Sequence, residues 1–534
     1  MMKGFLNRER FLGILENINI WDVVVIGGGA TGLGIALDSA SRGYKTLLLE
    51  QSDFSKGTSS RSTKLVHGGI RYLAQGNIKL VYEALQERGH LLKNAPHLVK
   101  KQRFVIPIFS WRMGLLYWAG LKFYEWLAGS LSFGKSQFLS RNETLKMFPE
   151  IRPNSLKGGI LYYDGQFDDA RLAINIAQTC VQQGGVVLNY FQVKNLIKEI
   201  GKISGVIAYD LETRKKYSIY SKTVINATGV FSDSISKMDE STWPILIKPS
   251  QGTHIVLNKS FFSSSNAIVI PKTTDGRILF SVPWYDHVLI GTTDTFLDKS
   301  DLEPKPLEEE IDFILHTFKQ YFVYTPKRKD ILSAFSGLRP LFVPRHFSSS
   351  STTQTKDISR SHKLMISPSG LVTIIGGKWT TYRKMAEETV NKAIEIGKLN
   401  KVPSITKNMK IYGSISSCKN HNFHWKKYGE DESHIQKLIE ENPLWGESLI
   451  SKCPSYYCTE AEVIWMVRHE MARTIEDVLA RRFRLLFLNA KKAIDIAPRV
   501  AALMAQELSR DKTWEKSQVA AFKELAMQYY YPVV

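Results

Sequence analysis

Residues 21–50 read WDVVVIGGGATGLGIALDSASRGYKTLLLE, from Trp21 to Glu50. The apolar run 23–26 has the character of a parallel strand buried on both faces. It enters Gly27-Gly28-Gly29-Ala30-Thr31-Gly32, which fits G-x-G-x-x-G. The pattern predicts a helix over 35–42, stopped at Gly43, and a second strand over 46–49 that ends at Glu50. Each part has a mechanical reason. Gly27 permits the tight strand-to-helix turn, Gly29 lets backbone approach a pyrophosphate, and Gly32 lets helix and strand pack closely. The helix N-terminus offers N–H groups and a positive dipole end to phosphates. Glu50 stands where a carboxylate can accept hydrogen bonds from a ribose. Glycines alone would be a weak signal; strand, turn, helix, strand and acid in order predict a dinucleotide site.

The motif lies almost at the start of a 534-residue chain, which favours FAD over NAD. Enzymes that carry FAD in this position interrupt the fold with substrate-binding insertions and return to it late. A chain of this length holds two or three domains. Its apolar content of 43% and aromatic content of 11% indicate a folded protein. Cys180, Cys418, Cys453 and Cys458 are irregularly spaced, so no metal site or disulfide framework is expected. The net charge of +20 comes without a zinc finger, an RNA-recognition signature or a long basic tract. It therefore favours an anionic membrane surface or substrate over nucleic acid. Residues 1–19 lack the apolar core of a signal peptide, and their spacing suits a short amphipathic helix packed on the body.

Beyond Glu50, segment 57–73 (GTSSRSTKLVHGGIRYL) combines small hydroxyl residues with two glycines. Such a segment can lie against a flat cofactor, and Thr58, Ser59, Ser60, Lys64, His67 and Gly68 are candidate contacts. Arg71 and Tyr72 follow, and both suit an anionic ligand. A charged helix is predicted over 80–92. Stretch 111–129 (WRMGLLYWAGLKFYEWLAG) is the most aromatic of the chain. It is too charged to span a bilayer, and suits either a membrane interface or a buried interdomain helix.

Asp168 or Asp169 is placed to cap a helix running to about residue 183, with strands near 186–188 and 205–210. Run 223–229 ends in a small-residue turn at Ala227 and Gly229, a further strand end facing the cofactor. Over 248–344 short strands alternate with turns, as in an antiparallel substrate sheet. The run 348–353 reads as a mobile loop. A buried strand over 371–375 then enters Gly376-Gly377-Lys378-Trp379-Thr380, followed by a helix to about 396. Gly376, Gly377 and Thr380 close the cofactor site, and the helix dipole favours negative charge there. Residues 401–412 read as a linker, and helices are expected over 460–470, 474–484, 490–507 and 513–529. Arg473, Arg481, Arg482 and Arg484 make this part basic, for a membrane, solvent or interdomain face.

The stretches VVVIGGGATGLGIALDSASRG, GTSSRSTKLVHGGIRYL, NATGVFSD, GTHIVL, IGTTD, SGLRPL, GGKWTTYRK and TIEDVLARRFRLLFLNA occur in this order along the chain. Together they resemble the aerobic, membrane-associated, FAD-dependent glycerol-3-phosphate dehydrogenase family. The resemblance implies an α/β fold: a Rossmann-like FAD-binding domain interrupted by an antiparallel α+β substrate domain, with a helical C-terminal cap. The expected division is an extension over 1–20, then flavin-domain segments at about 21–100, 150–245 and 355–400. The substrate domain takes about 100–150 and 246–354, and the cap takes 401–534. The resemblance also implies oxidation of sn-glycerol 3-phosphate to dihydroxyacetone phosphate, with electrons passed to a membrane quinone. Arg71, Tyr72 and Arg360 match residues that grip the phosphate, with Thr292 nearby. Arg339, Lys378 and His254 match those around the reacting carbon, and either His254 or Lys378 is the base. The implied location is peripheral, on the cytoplasmic side of a bacterial inner membrane; a homodimer is left open. The rival within the same fold is an oxidase passing electrons to O2 and releasing H2O2, and a more distant one is an amino-acid oxidase.

Overall fold

The structure, a computed structural model, describes residues 4–74, 76–273, 276–343, 361–414, 424–450 and 457–531, without the side chains of Arg71 and Ala74. Strand Ile20–Ile26 lies centrally in the first sheet, whose order is Lys363–Ile366, Val372–Ile375, Lys216–Asn226, Ile20–Ile26, Thr46–Leu49, Val186–Leu188. The last five run parallel, as a continuous apolar run buried on both faces requires. Val23, Val24 and Val25 are fully enclosed, and each such side chain contributes roughly 1.5–3 kcal/mol over exposure. Helix Ala30–Ser41 packs between helices Asp169–Gln182 and Tyr382–Ile396. Gly34 admits the Tyr382 ring at a distance where a Cβ would clash, 2.8 Å. Asp168, as expected, caps its helix by accepting the Arg171 N–H at 3.1 Å.

The second sheet has ten strands and is antiparallel except where Ala267–Ile270 runs parallel to Val99–Ile108. Its organising strand is Ile247–Asn258, paired along one side with Ser333–Phe342. On the other side its neighbour changes: His287–Gly291 covers 254–258, and Thr295–Phe296 covers 250–251. Gly252 and Thr253 thus face a break in the ladder, filled by the turn through Thr292 and Thr293. This sheet also takes strands Leu65–Val66 and Gly158–Phe167. Both strands come from stretches expected in the flavin domain, about 21–100 and 150–245.

The N-terminal helix is Arg8–Asn17, with Phe11 and Leu15 in the flavin-domain core and Arg8 bonded to Asp210 at 2.6 Å. The stretch read as a linker is a strap packed on that domain: Thr406 bonds Asp38 at 3.1 Å, and Ile411 N–H bonds Asn94 O at 2.9 Å. The C-terminal helices include Glu460–His469, Ala490–Glu507 and Lys512–Met527. The helix expected over 474–484 is one wide π-helical turn, Asp477–Arg482, that turns its arginines inward.

Candidate active site

The glycine turn, the 57–70 segment, the break in the second sheet and the 374–380 turn enclose a cavity of about 790 Å³. Its glycine-rich wall follows from close backbone approach. A Cβ on Gly32 would stand 1.9 Å from Gly27 O, and Gly27 itself has φ +108°. Gly27, Gly29, Ala30 and Thr31 line the cavity, so the N-terminus of helix Ala30–Ser41 opens into it. Ala30 N–H donates to Ser59 Oγ at 2.9 Å. The Glu50 carboxylate lines the same wall and accepts from Gly28 N–H (2.6 Å) and Ser52 N–H (2.8 Å). Burial holds its pKa above the ordinary value. Across the chain, Thr380 Oγ1 accepts the His67 N–H at 3.2 Å, and Trp379 Nε1 donates to Ser59 O at 2.7 Å. These bonds close the late turn onto the early loop. Ala227, Gly229, Gly376, Gly377 and Thr58 complete this half. A wall without side chains, met by a helix N-terminus, fits a dinucleotide pyrophosphate.

The other half carries the polar cluster. Arg339 fans its guanidinium over Thr292 Oγ1 (2.9 Å), Thr293 O (3.1 Å) and the Asp294 carboxylate (3.1 Å). A Cβ on Gly252 would lie 2.3 Å from Arg339 Nη2, and one on Gly291 2.2 Å from the His254 ring. These two glycines, at the ladder break, are what lets both side chains lie flat against the sheet. His254 is 2% exposed, bonds Thr63 Oγ1 through Nε2 at 2.9 Å, and stacks on Phe335 with centroids 5.1 Å apart. Burial, then the charges of Lys64 and Arg339, hold its pKa well below the ordinary histidine value, so the ring is neutral. Lys378 Nζ sits 3.7 Å over the Tyr72 ring, and both line the cavity.

A family model described as FAD dependent oxidoreductase matches residues 22–383. The chain belongs to the FAD-dependent oxidoreductase family. Its helical end, residues 372–515, matches a model described as the C-terminal domain of alpha-glycerophosphate oxidase. The mitochondrial glycerol-3-phosphate dehydrogenase of Macaca fascicularis is 40% identical over 97% of this chain and 75% of its own length. The Schizosaccharomyces pombe enzyme of that name is 37% identical over 95% and 87%. A solved glycerol-3-phosphate dehydrogenase from Bacillus halodurans, complexed with FAD, superposes with TM-score 0.79 at 29% identity over all of both chains. An L-alpha-glycerophosphate oxidase from Mycoplasma pneumoniae, at 17% identity and TM-score 0.55 over 74% of this chain and 99% of its own, shares the fold.

Three residues expected on the cofactor are not among those that line the cavity. Lys64 is fully buried behind the cavity wall, with Nζ 2.7 Å from both Asp169 Oδ2 and Ser60 O. Ser60 is buried with its hydroxyl toward Lys56 O and Gly57 O, and Gly68 gives its N–H to Tyr124 Oη at 2.8 Å. All three hold the loop that carries the contacts, which composition cannot separate from touching the ligand. The Arg71 side chain, Arg360 and the 348–353 run lie outside the described residues. Thr63 and Asp294 stand inside the motifs GTSSRSTKLVHGGIRYL and IGTTD, which by themselves assign neither a role. Asp294 had a signal, since a buried carboxylate in a substrate sheet needs a cation.

Proposed function

We propose that this protein oxidises sn-glycerol 3-phosphate to dihydroxyacetone phosphate and passes the electrons to a membrane quinone. One observation carries the reading: a dinucleotide cradle and a cationic polar cluster share one cavity. The 40% identity to a protein named glycerol-3-phosphate dehydrogenase supplies the substrate. FAD would be held by the 27–31 turn, Glu50, Thr58, Ser59, His67, the 227–229 turn and the 376–380 turn, and supplies hydride acceptance when bound. His254, neutral at working pH, takes the hydroxyl proton of the substrate. Lys378 lies over the Tyr72 ring, an aromatic face that attracts a cation, and is the alternative proton acceptor. Arg339, oriented by Asp294 and Thr292, stabilises the developing alkoxide. Tyr72, Arg71 and Arg360 take the phosphate.

The protein meets an anionic bilayer from the side, through helix Trp111–Ala128. Leu115, Leu116 and Trp126 are 62%, 63% and 73% exposed on it, beside Arg112 and Lys122. Among the described residues no helix is long and apolar enough to cross a membrane. The curated relatives are named mitochondrial, and the expected bacterial inner membrane presents the same kind of surface.

Anaerobic addition of glycerol 3-phosphate to the yellow protein should bleach the flavin band near ~450 nm. Recovery with a short-tailed quinone, and only slowly with air, supports the dehydrogenase. The C-terminal match to an oxidase domain keeps the oxidase as second reading. Fast recovery in air with peroxide would establish it, and no bleaching would end the substrate assignment.

A further inference from the structure

The loop that follows Glu50 has two sides, and they meet different parts of the chain. Over 51–61 its only regular structure is one 3-10 turn, Thr58–Ser60, so its course is set by what it packs against. The inner side is tied to the dinucleotide cradle. Ser55 N–H donates to Gly28 O at 2.9 Å, Ser59 Oγ accepts from Ala30 N–H at 2.9 Å, and Lys56, Thr58 and Ser59 line the cavity. The outer side is tied to the C-terminal unit. Asp53 accepts from both Arg481 and Arg482, all three buried. Lys56 Nζ pairs with Glu476 at 2.6 Å, and Arg484 Nη2 donates to Ser60 O at 2.8 Å. Arg61 Nη2 meets Glu303 at 2.6 Å, and the same carboxylate accepts from Tyr529 Oη. Among the described residues none beyond Thr380 lines the cavity. The C-terminal unit therefore reaches the cofactor site through this loop.

We propose that the C-terminal unit is a latch on the cofactor. Arg481, Arg482, Arg484 and Glu476 are positioning residues that hold the 53–61 loop in the course FAD requires, so FAD binding and docking of the C-terminal unit strengthen each other. The inference rests on the flavin reading of the cavity and adds what retains the cofactor there. The charges across the seam are complementary: Asp53 faces two guanidiniums, and Lys56 faces a carboxylate. Withdrawing one partner of a buried pair leaves an enclosed, uncompensated charge, so the seam holds or parts as a whole. With the unit undocked, the loop has lost its outer anchors, and Thr58 and Ser59 are no longer held at the cradle. With FAD in the cavity, the inner side of the loop is pinned, and Asp53, Lys56 and Ser60 O stand ready for their partners. By linkage, the factor by which docking raises FAD affinity equals the factor by which FAD favours docking.

The test reads FAD binding and local exchange rather than turnover. Glu476→Gln keeps the shape of the side chain but removes the charge that faces Lys56 and Arg481. Titration of the full-chain apoprotein with FAD, followed by flavin fluorescence, should give a Kd about tenfold above wild type. Tyr428→Phe is the control: it loses a 2.6 Å hydrogen bond to Glu462 inside the C-terminal unit, away from the loop. Its Kd should stay within a factor of about two, whereas a merely structural role would raise both alike. In the wild-type protein, amide hydrogen exchange over 473–484 should slow by about tenfold on FAD binding, although none of these residues lines the cavity. This exchange measurement needs no variant and stands if Glu476→Gln does not fold. An unaltered Kd in folded Glu476→Gln, an equal rise in Tyr428→Phe, or exchange over 473–484 indifferent to FAD overturns the latch. A wild-type protein that takes up no FAD overturns the flavin reading itself.

Discussion

His254 shows how much a single side chain depends on its surroundings. An exposed histidine would be half charged near neutral pH; this one is neutral because it is enclosed and faces the cations of Lys64 and Arg339. Its proton acceptance is therefore not gated by pH in the physiological range. His254→Asn should slow anaerobic flavin reduction by about 10²–10⁴ while flavin content is retained, read by stopped flow. Between about pH 5 and 8 the wild-type reduction rate should not show a titration at about 6.5; a clear inflection there would move the base to another group. Lys64 gives the opposite lesson. Its sequence context marked it as a cofactor contact, yet its ammonium completes a buried set with Asp169 and Arg484.

At the scale of elements, strand Ile247–Asn258 and helix Trp111–Ala128 decide the chemistry. The strand exchanges one neighbour for another at Gly252 and Thr253, and that gap is where Arg339, Thr292 and His254 converge. The motifs GTHIVL and IGTTD were legible as sites, but the reason for their glycines is a side chain from elsewhere lying on each. The helix was legible only as one of two alternatives, interface or interior. Its two faces differ: Leu121, Tyr124 and Leu127 are buried, while Leu115, Leu116 and Trp126 are exposed. Which face is covered depends on helix Ile78–Asn94, which packs through Val81 and Leu85. Leu116→Ser with Trp126→Ser should lower binding to phosphatidylglycerol-containing vesicles by at least about tenfold in a flotation assay. Flavin reduction by substrate should be unaffected, since neither residue touches the cavity.

Across the whole molecule, the C-terminal unit is fastened by charge. Arg482 and Arg481 both meet Asp53, Arg171 meets Glu470 at 2.5 Å, and Arg484 meets Asp169 at 2.8 Å, all buried. Arg482→Ala would take from the enclosed Asp53 one of its two guanidiniums, and should cost up to about 3–5 kcal/mol in denaturant unfolding. Asp431 lies in the same seam, accepting from Tyr412 Oη, and burial pushes its carboxyl up to about 7. The folded protein therefore keeps a proton that the unfolded chain releases above about pH 4, so stability falls as pH rises from there through about 7. Asp431→Asn carries no such proton, and its melting temperature should fall less between pH 5 and 8 than the wild type. His97, pushed down to about 4 by burial, works the other way, losing stability as pH falls below about 6.5 in both proteins.

The local signals carried the architecture. A strand, glycine turn, helix and acid in fixed order determine a dinucleotide cradle because backbone sterics and the helix terminus act within about thirty residues. Alternating short strands likewise declared a second, mostly antiparallel sheet. Only the tertiary structure decided which charges face the ligand and which face each other. Arg339 and Lys64 are alike in type and both lie in motif-rich sequence, but one meets an open ladder and the other a buried Asp169. A long charged side chain goes where its counter-charge is, and for Arg339 and Arg482 that partner, Asp294 or Asp53, stands some forty-five or over four hundred residues away.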